Sequence, residues 1–178
     1  APWKWTLPDG LNYAAMGAEG ERPVLLLPDT TAYGRDKAWP DSRWVALAQG
    51  LRSQRIPVQF LKPPKNSRAA ILAAQADCAI TPSTPSLPEL AALLDGCRAV
   101  VGTDSGPVHL AAYRGTPAVA LFGPTDPAVH APFGPEVQVL SPLSEGEAPP
   151  PRDRSRPSPL MEEIQVEAVQ AAVVKISG

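Results

Sequence analysis

The sequence predicts an α/β fold in which helices cover both faces of a parallel sheet. Short apolar segments alternate with segments of helical spacing along most of the chain. Most of these apolar segments are continuous, as is typical of strands that are buried on both faces. The chain has 178 residues, of which 44% are hydrophobic and 19% are charged, which is the size and composition of one globular domain.

Strands are predicted where apolar segments lie between turn-forming residues. The first reads Pro-Val-Leu-Leu-Leu-Pro at residues 23–28, and its lack of polar residues indicates a fully buried strand. Right-handed crossovers between such strands would place all their carboxyl ends at one edge of the sheet. The further predicted strands, of which the last is the weakest, are residues 57–61, 78–80, 98–101, 117–122 and 136–140.

Helices are predicted between the strands from apolar spacing and from capping residues. Asp41 or Ser42 can cap the first helix, whose apolar positions continue to Leu51. Ser86 begins another helix, because proline and glutamate follow it at positions typical of a helix N-terminus. The remaining predicted helices cover residues 67–76, 105–114 and 161–176.

The chain divides into four predicted parts. Residues 1–22 are predicted to form an N-terminal arm or linker, and residues 23–140 form the domain itself. Residues 141–160 are rich in proline and charge, which predicts an extended or disordered loop with solvated arginines. Residues 161–178 are predicted to pack on the domain as a closing helix with one apolar face.

Charge and residue counts argue against several classes of function. A net charge of -2 disfavours nucleic-acid binding. Cys78 and Cys97 are isolated from each other and are predicted to be buried free thiols in a reducing compartment. The two histidines form no cluster with ligand spacing, so we expect no metal. No apolar segment has the length of a transmembrane helix. The chain begins without methionine, which predicts a fragment or a processed product.

The strongest candidate site lies where the fourth predicted strand passes into its helix, at residues 102–106. A helix that starts at a strand end offers a site for anions, because its first amides lack partners. Asp104 or Ser105 can cap this helix, and Gly106 allows close approach to the backbone. The amides of Ser105, Gly106 and Val108 are therefore candidate donors to a pyrophosphate. The alternative interpretation is an ordinary capped helix start.

A second turn of small residues follows the next predicted strand. It reads Gly123-Pro124-Thr125-Asp126-Pro127. Because neighbouring parallel strands end at the same edge of a sheet, this turn is predicted to lie beside the first. Two adjacent turns that carry hydroxyls and carboxylates favour a binding crevice over two unrelated turns.

Residues 104–127 read DSGPVHLAAYRGTPAVALFGPTDP and resemble the most recognisable segment of the lipopolysaccharide heptosyltransferases, glycosyltransferase family 9. The match is long and ordered, from the aspartate through the histidine to the Gly-Pro-Thr-Asp-Pro turn. Residues 30–40, in which two threonines precede Lys37 and a Trp-Pro pair, resemble a second segment of that family. The similarity extends over about residues 23–140.

The resemblance implies a Rossmann-like domain that binds a nucleotide sugar, the C-terminal half of a GT-B fold. It implies a glycosyltransferase that transfers a sugar from a nucleotide sugar such as ADP-heptose to an acceptor hydroxyl, with no cofactor. The acceptor is a glycan or is lipid-linked, and an N-terminal GT-B domain is the implied partner. The implied location is the cytoplasm, with peripheral attachment at the inner face of the membrane as a variant.

The resemblance also assigns roles to residues. Lys37 is expected to contact the donor phosphates, because a lysine is a compact cation. Asp104 and His109 are expected to support catalysis, the first by capping the helix or binding sugar hydroxyls and the second by donating a hydrogen bond to the leaving phosphate. The implied substrate-binding residues are Thr30, Thr31, Lys37, Asp104, Ser105, Gly106, His109, Gly123, Thr125 and Asp126.

Two departures from the family pattern leave alternatives open. Residues 61–66 read Leu-Lys-Pro-Pro-Lys-Asn where the family usually has a glycine and an acid that holds the donor ribose. The N-terminal domain, which would supply the acceptor site and the general base, has no counterpart in the chain, so we expect the chain alone to be inactive. The alternatives are a nucleotide-sugar epimerase of GT-B-like fold and a nucleotide-sugar-binding module without activity.

Overall fold

A computed structural model of the chain describes residues 22–63, 68–81 and 86–177. Its six parallel strands form one sheet in the order β3-β2-β1-β4-β5-β6. The predicted strands are all present, with ends that differ by one or two residues. Their bounds are β1 Val24–Leu27, β2 Val58–Phe60, β3 Ala79–Ile80, β4 Ala99–Thr103, β5 Ala118–Leu121 and β6 Val137–Leu140.

Helices lie on both faces of this sheet, as the sequence predicts. A 3-10 helix at Ala32–Lys37 stands within the segment that was expected to be a plain loop. The α-helices are α1 Asp41–Ser53, α2 Arg68–Gln75, α3 Leu87–Asp95, α4 Gly106–Tyr113, α5 Pro127–His130, α6 Pro159–Glu163 and α7 Val166–Ile176.

The central strand β1 shows why its sequence is continuously apolar. Val24 and Leu26 face a core that includes side chains of α1, α2 and α7. Leu25 and Leu27 face a second core that includes side chains of α3 and α4. A strand between two helical layers has no solvent face, so every position is apolar.

The fourth strand continues beyond its predicted end. Gly102 and Thr103 pair with Ala120 and Leu121 of β5, although the sequence suggested that the strand stops at Val101. Gly102 belongs to the strand and not to the turn, because its missing side chain makes room for α4. A Cβ at this position would lie 2.5 Å from Val108 Cγ2.

The prediction of one closing helix over residues 161–176 is wrong. The backbone is extended at Ile164 and Gln165, which separates α6 from α7. The Ile164 carbonyl accepts hydrogen bonds from Trp39 Nε1, at 3.1 Å, and from the Arg43 guanidinium. These tertiary donors replace the helical partner that this carbonyl would otherwise need.

The predicted caps of α1 and α4 are also wrong. Pro40 is the N-cap residue of α1, and the Asp41 carboxylate instead pairs with Arg68. Ser105 is the N-cap residue of α4, but its side chain forms no capping hydrogen bond. The Asp104 carboxylate likewise does not cap α4, and its partners belong to the site described below.

Candidate functional site

A cleft of about 390 Å³ opens at the carboxyl edge of the sheet, where the loops after β1, β2 and β4 meet. The strands β1 and β4 are neighbours, but their connections leave in opposite directions along the sheet. Such a reversal of strand order leaves a crevice between two loops, which is where α/β folds bind ligands. The residues that line it are Leu27, Asp29, Thr30, Thr31, Lys37, Leu61, Pro63, Thr103, Asp104, Ser105, Gly106 and Pro107.

The N-terminus of α4 forms one wall of this cleft. The amides of Ser105 and Gly106 donate to no group among the described residues, as the prediction of an anion site requires. The Val108 amide, the third predicted donor, is instead occupied, because it donates to the Ser105 carbonyl at 3.1 Å. A Cβ on Gly106 would meet no atom within 4 Å, so open space lies in front of this backbone.

Lys37 reaches this wall from the 3-10 helix. Its Nζ donates to the Asp104 carbonyl at 2.5 Å and lies 3.3 Å from Asp104 Oδ2. The lysine stem crosses Gly34, where a Cβ would lie 3.2 Å from Lys37 Cε. The structure therefore brings together the lysine and the turn that the family resemblance assigned to one site, although 67 positions separate them.

The Asp104 carboxylate is held by two groups besides the solvent it meets. Oδ1 lies 3.2 Å from His109 Nε2, and Oδ2 faces Lys37. Thr125 Oγ1 is buried and forms no hydrogen bond of normal geometry among the described residues. It is nevertheless near enough to lower the pKa of the Asp104 carboxyl. Burial alone would raise the pKa of Asp104; His109, Lys37 and Thr125 together lower it below its ordinary value. The carboxylate is therefore ionised at neutral pH.

The residues of the predicted site do not all line the cleft. Thr30, Thr31, Lys37, Asp104, Ser105 and Gly106 do, and His109 contacts them through Asp104. Thr125 lies behind the Asp104 carboxylate.

The two other predicted site residues of the second turn, Gly123 and Asp126, already have structural partners. Asp126 accepts from the Ala128 amide at 2.8 Å and so caps α5. Gly123 is buried, and a Cβ there would lie 2.6 Å from Met161 Sδ. That packing explains the glycine without a ligand, and the binding roles of Gly123, Thr125 and Asp126 stay predictions.

Sequence reasoning missed two features near the cleft. Asp29 caps α2 by accepting from the amides of Arg68 and Ala69, at 3.2 and 3.3 Å. The available signal was the place of Asp29 directly after the first predicted strand, residues 23–28. The second is the contact of Arg152 with the buried carboxylate of Asp36. It corrects the prediction of solvated arginines in residues 141–160 for Arg152 alone, since Arg154 and Arg156 are exposed.

The described residues contain neither a cluster of metal-ligating side chains nor a membrane-spanning helix. Among residues 22–63, 68–81 and 86–177, no three histidine, cysteine, aspartate or glutamate side chains lie together as metal ligands would. In the same part of the chain, no helix has the length and apolar character needed to cross a membrane.

Comparison with known proteins identifies relatives of this chain. The model of glycosyltransferase family 9 (heptosyltransferase) matches residues 7–159. Lipooligosaccharide heptosyltransferase 2 of Haemophilus influenzae is 31% identical over 135 residues, which are 72% of this chain and 39% of that protein. The chain thus spans about two fifths of the length of the curated relatives it matches.

Solved structures share the fold. The structure of Escherichia coli ADP-heptose LPS heptosyltransferase II has a TM-score of 0.76 and 22% identity, covering 97% of this chain and 52% of that chain. E. coli heptosyltransferase WaaC with ADP has a TM-score of 0.70 and 25% identity, covering 89% and 45%. The predicted Rossmann-like fold class is confirmed. Since the family model matches well over half of the residues, the chain belongs to glycosyltransferase family 9.

Proposed function

We propose that this chain binds the nucleotide-sugar donor of a heptosyltransferase, with ADP-heptose as the donor. The observation that carries the proposal is the contact of Lys37 with Asp104 at the free N-terminus of α4, inside the cleft. Relatives support the choice of nucleotide, since one structural neighbour was solved with ADP and another is named an ADP-heptose enzyme.

The cleft offers a diphosphate three sources of positive potential. They are the Lys37 ammonium, the free amides of Ser105 and Gly106, and the positive end of the α4 dipole. An incoming diphosphate competes with the Asp104 carbonyl for the lysine protons. The Asp104 carboxylate then remains available to accept hydrogen bonds from hydroxyls of the sugar.

In the proposed reaction, an acceptor hydroxyl attacks the anomeric carbon of the bound sugar. A carbon–oxygen bond to the acceptor forms as the bond to the β-phosphate oxygen breaks, and the diphosphate leaves with the bonding electrons. Lys37 and the α4 amides stabilise the charge that develops on the diphosphate. His109 donates a hydrogen bond to the departing phosphate. The hydroxyl proton passes to a general base outside this chain, and no covalent enzyme intermediate forms.

The remaining parts of the enzyme belong to the same proposal. The Haemophilus influenzae relative is about two and a half times as long as its matched segment, which is 39% of that protein. We assign the acceptor site and the general base to an N-terminal GT-B domain, and we assign a glycan or lipid-linked molecule as the acceptor. The 178-residue chain alone is therefore expected to bind ADP without transferring sugar.

Calorimetric titration of the chain with ADP tests the proposal. We expect Lys37→Met to weaken ADP binding about tenfold to a hundredfold, because it removes a hydrogen bond between charged groups. Lys175→Met is the matched control, since this exposed lysine lies on α7. Equal ADP affinity of the wild-type chain and Lys37→Met would show that the diphosphate does not bind in this cleft.

A further inference from the structure

One buried ion pair lies immediately beside Lys37 in sequence. Asp36 is 1% exposed, and its carboxylate accepts two hydrogen bonds from one guanidinium. Arg152 Nε donates to Oδ2 at 2.6 Å, and Nη2 donates to Oδ1 at 2.9 Å. This bidentate geometry fixes direction as well as distance, because the planar fork of arginine matches both carboxylate oxygens.

The segment that contains Arg152, residues 152–158, also holds the backbone of Asp36. The Ser158 amide donates to the Asp36 carbonyl at 3.0 Å, so both the side chain and the backbone of Asp36 are held. The two contacts come from residues 152–158, which form turns but no helix or strand. Both attachments of this irregular segment, the ion pair of Arg152 and the hydrogen bond of the Ser158 amide, converge on Asp36.

We propose that Asp36 and Arg152 are positioning residues that aim the Lys37 ammonium at the diphosphate site. Lys37 directly follows Asp36 at the end of the 3-10 helix. The peptide unit that joins the two residues therefore sets the direction in which the Lys37 side chain leaves the backbone. The aliphatic part of the Lys37 side chain then passes over Gly34, and its ammonium donates to the Asp104 carbonyl. Without the pair, the turn would be free to rotate, and the flexible lysine would sample positions away from α4.

Charge supports the same arrangement. Without Arg152, the Asp36 carboxylate would be a buried, unpaired negative charge. It would attract the ammonium of the adjacent Lys37 away from the cleft. Arg152 neutralises this carboxylate and leaves Lys37 to Asp104. Arg152 is also close enough for the Asp104 charge to help raise its pKa, after the larger effect of its hydrogen bond to Asp36.

The first test needs no ligand. The double variant Asp36→Asn/Arg152→Met removes both charges and leaves no buried charge unpaired. Labelling of amines, followed by mass spectrometry of the Lys37 peptide, reports how firmly the ammonium is held. We expect the labelling rate of Lys37 to rise several-fold in the double variant. Arg156→Met is the control, because Arg156 lies in the same segment but pairs with the exposed Asp153.

A double-mutant cycle with ADP provides the second test, and this part rests on the proposed function. We expect the pair variant to weaken ADP binding about tenfold in the wild-type chain and to have no further effect in Lys37→Met. If the losses of ADP affinity caused by the pair variant and by Lys37→Met are fully additive, Arg152 contacts the ligand directly. That result would overturn the positioning role. If wild-type chain binds no ADP, the proposed function fails, and the labelling rates still decide the role of the pair.

Arg152→Lys keeps the test decisive if the double variant does not fold. Lysine preserves the charge but lacks the two-pronged geometry. A partial rise in Lys37 labelling supports the proposal. An unchanged Lys37 labelling rate in Arg152→Lys, with its fold verified by circular dichroism, would overturn the proposal.

Discussion

His109 Nε2 lies 3.2 Å from Asp104 Oδ1, while the other carboxylate oxygen faces Lys37. The Asp104 side chain is 14% exposed, whereas that of His109 is 41% exposed. The carboxylate thus anchors an imidazole that still reaches the solvent from which a ligand arrives. With Nε2 donating to Asp104, the ring can donate to a phosphate through Nδ1 when both ring nitrogens carry protons. Because Asp104 already orients the ring, such a contact would cost little further side-chain entropy.

The ionised state of Asp104 predicts a pH effect on stability. His109 and Lys37, with Thr125, lower the pKa of Asp104 despite the burial that would raise it. A carboxyl with a lower pKa in the folded chain stabilises the fold fully above its unfolded pKa, about 4, and this contribution is lost as the pH falls through the folded value. We therefore expect the free energy of unfolding of the wild-type chain, measured in urea, to fall relative to that of Asp104→Asn as the pH drops below about 4. A difference that stays constant through that range would contradict the ion-pair geometry.

Gly102→Ala is expected to destabilise the chain. The new Cβ would lie 2.5 Å from Val108 Cγ2 and 3.1 Å from Leu27 Cβ, which real side chains do not tolerate without movement. Overpacking of this kind costs about 1–3 kcal/mol in the free energy of unfolding. The midpoint of urea unfolding measures it, and an unshifted midpoint would mean that α4 moves away from β4 at no cost.

Gly106→Ala should separate binding from folding. A methyl group there meets nothing within 4 Å, so the free energy of unfolding should change by less than about 1 kcal/mol. The methyl group would occupy the space in front of the free α4 amides, and we expect ADP affinity to fall about tenfold by calorimetry. Unchanged affinity would show that the diphosphate does not approach the backbone at this residue.

The two cysteines should differ in reactivity. Cys97 is 1% exposed, and burial raises the pKa of its thiol to about 12. Cys78 is only half-buried, which corrects the prediction that both thiols are buried, and desolvation raises its pKa as well. Because the thiolate is the reactive form, a thiol reagent near neutral pH should label Cys78 slowly and Cys97 only after unfolding. Rapid native labelling of Cys97 would contradict its burial.

Local sequence was sufficient to locate the strands of the sheet. Strands such as β1 and β5 lie between two helical layers, so their uninterrupted apolar residues identify them without knowledge of the rest of the chain. The turn at Asp104–Gly106 was found for a similar reason, because small residues between a strand and a helix are a local pattern. The link from this turn to Lys37 came from the family resemblance, and no spacing rule would supply it.

Features that depend on distant partners were missed. The break between α6 and α7 depends on donors from Trp39 and Arg43, which are more than 100 positions away. The burial of Asp36 depends on Arg152, 116 positions further along the chain. In each case the local sequence favours the simpler state, a continuous helix or a solvated arginine, and contacts with distant residues reverse that preference.

The two attachments of the last third of the chain have a practical consequence. Residues 152–158 hold Asp36, and Ile164 is held by Trp39 and Arg43, so both attachments reach the short stretch that presents Lys37. Met161, Val169 and Val173 also complete the core on one face of the sheet. A recombinant fragment trimmed at the end of the recognisable motif, near residue 140, would expose that face and release the lysine. A recombinant form of this domain therefore needs to carry the sequence through Ile176, the last residue of α7.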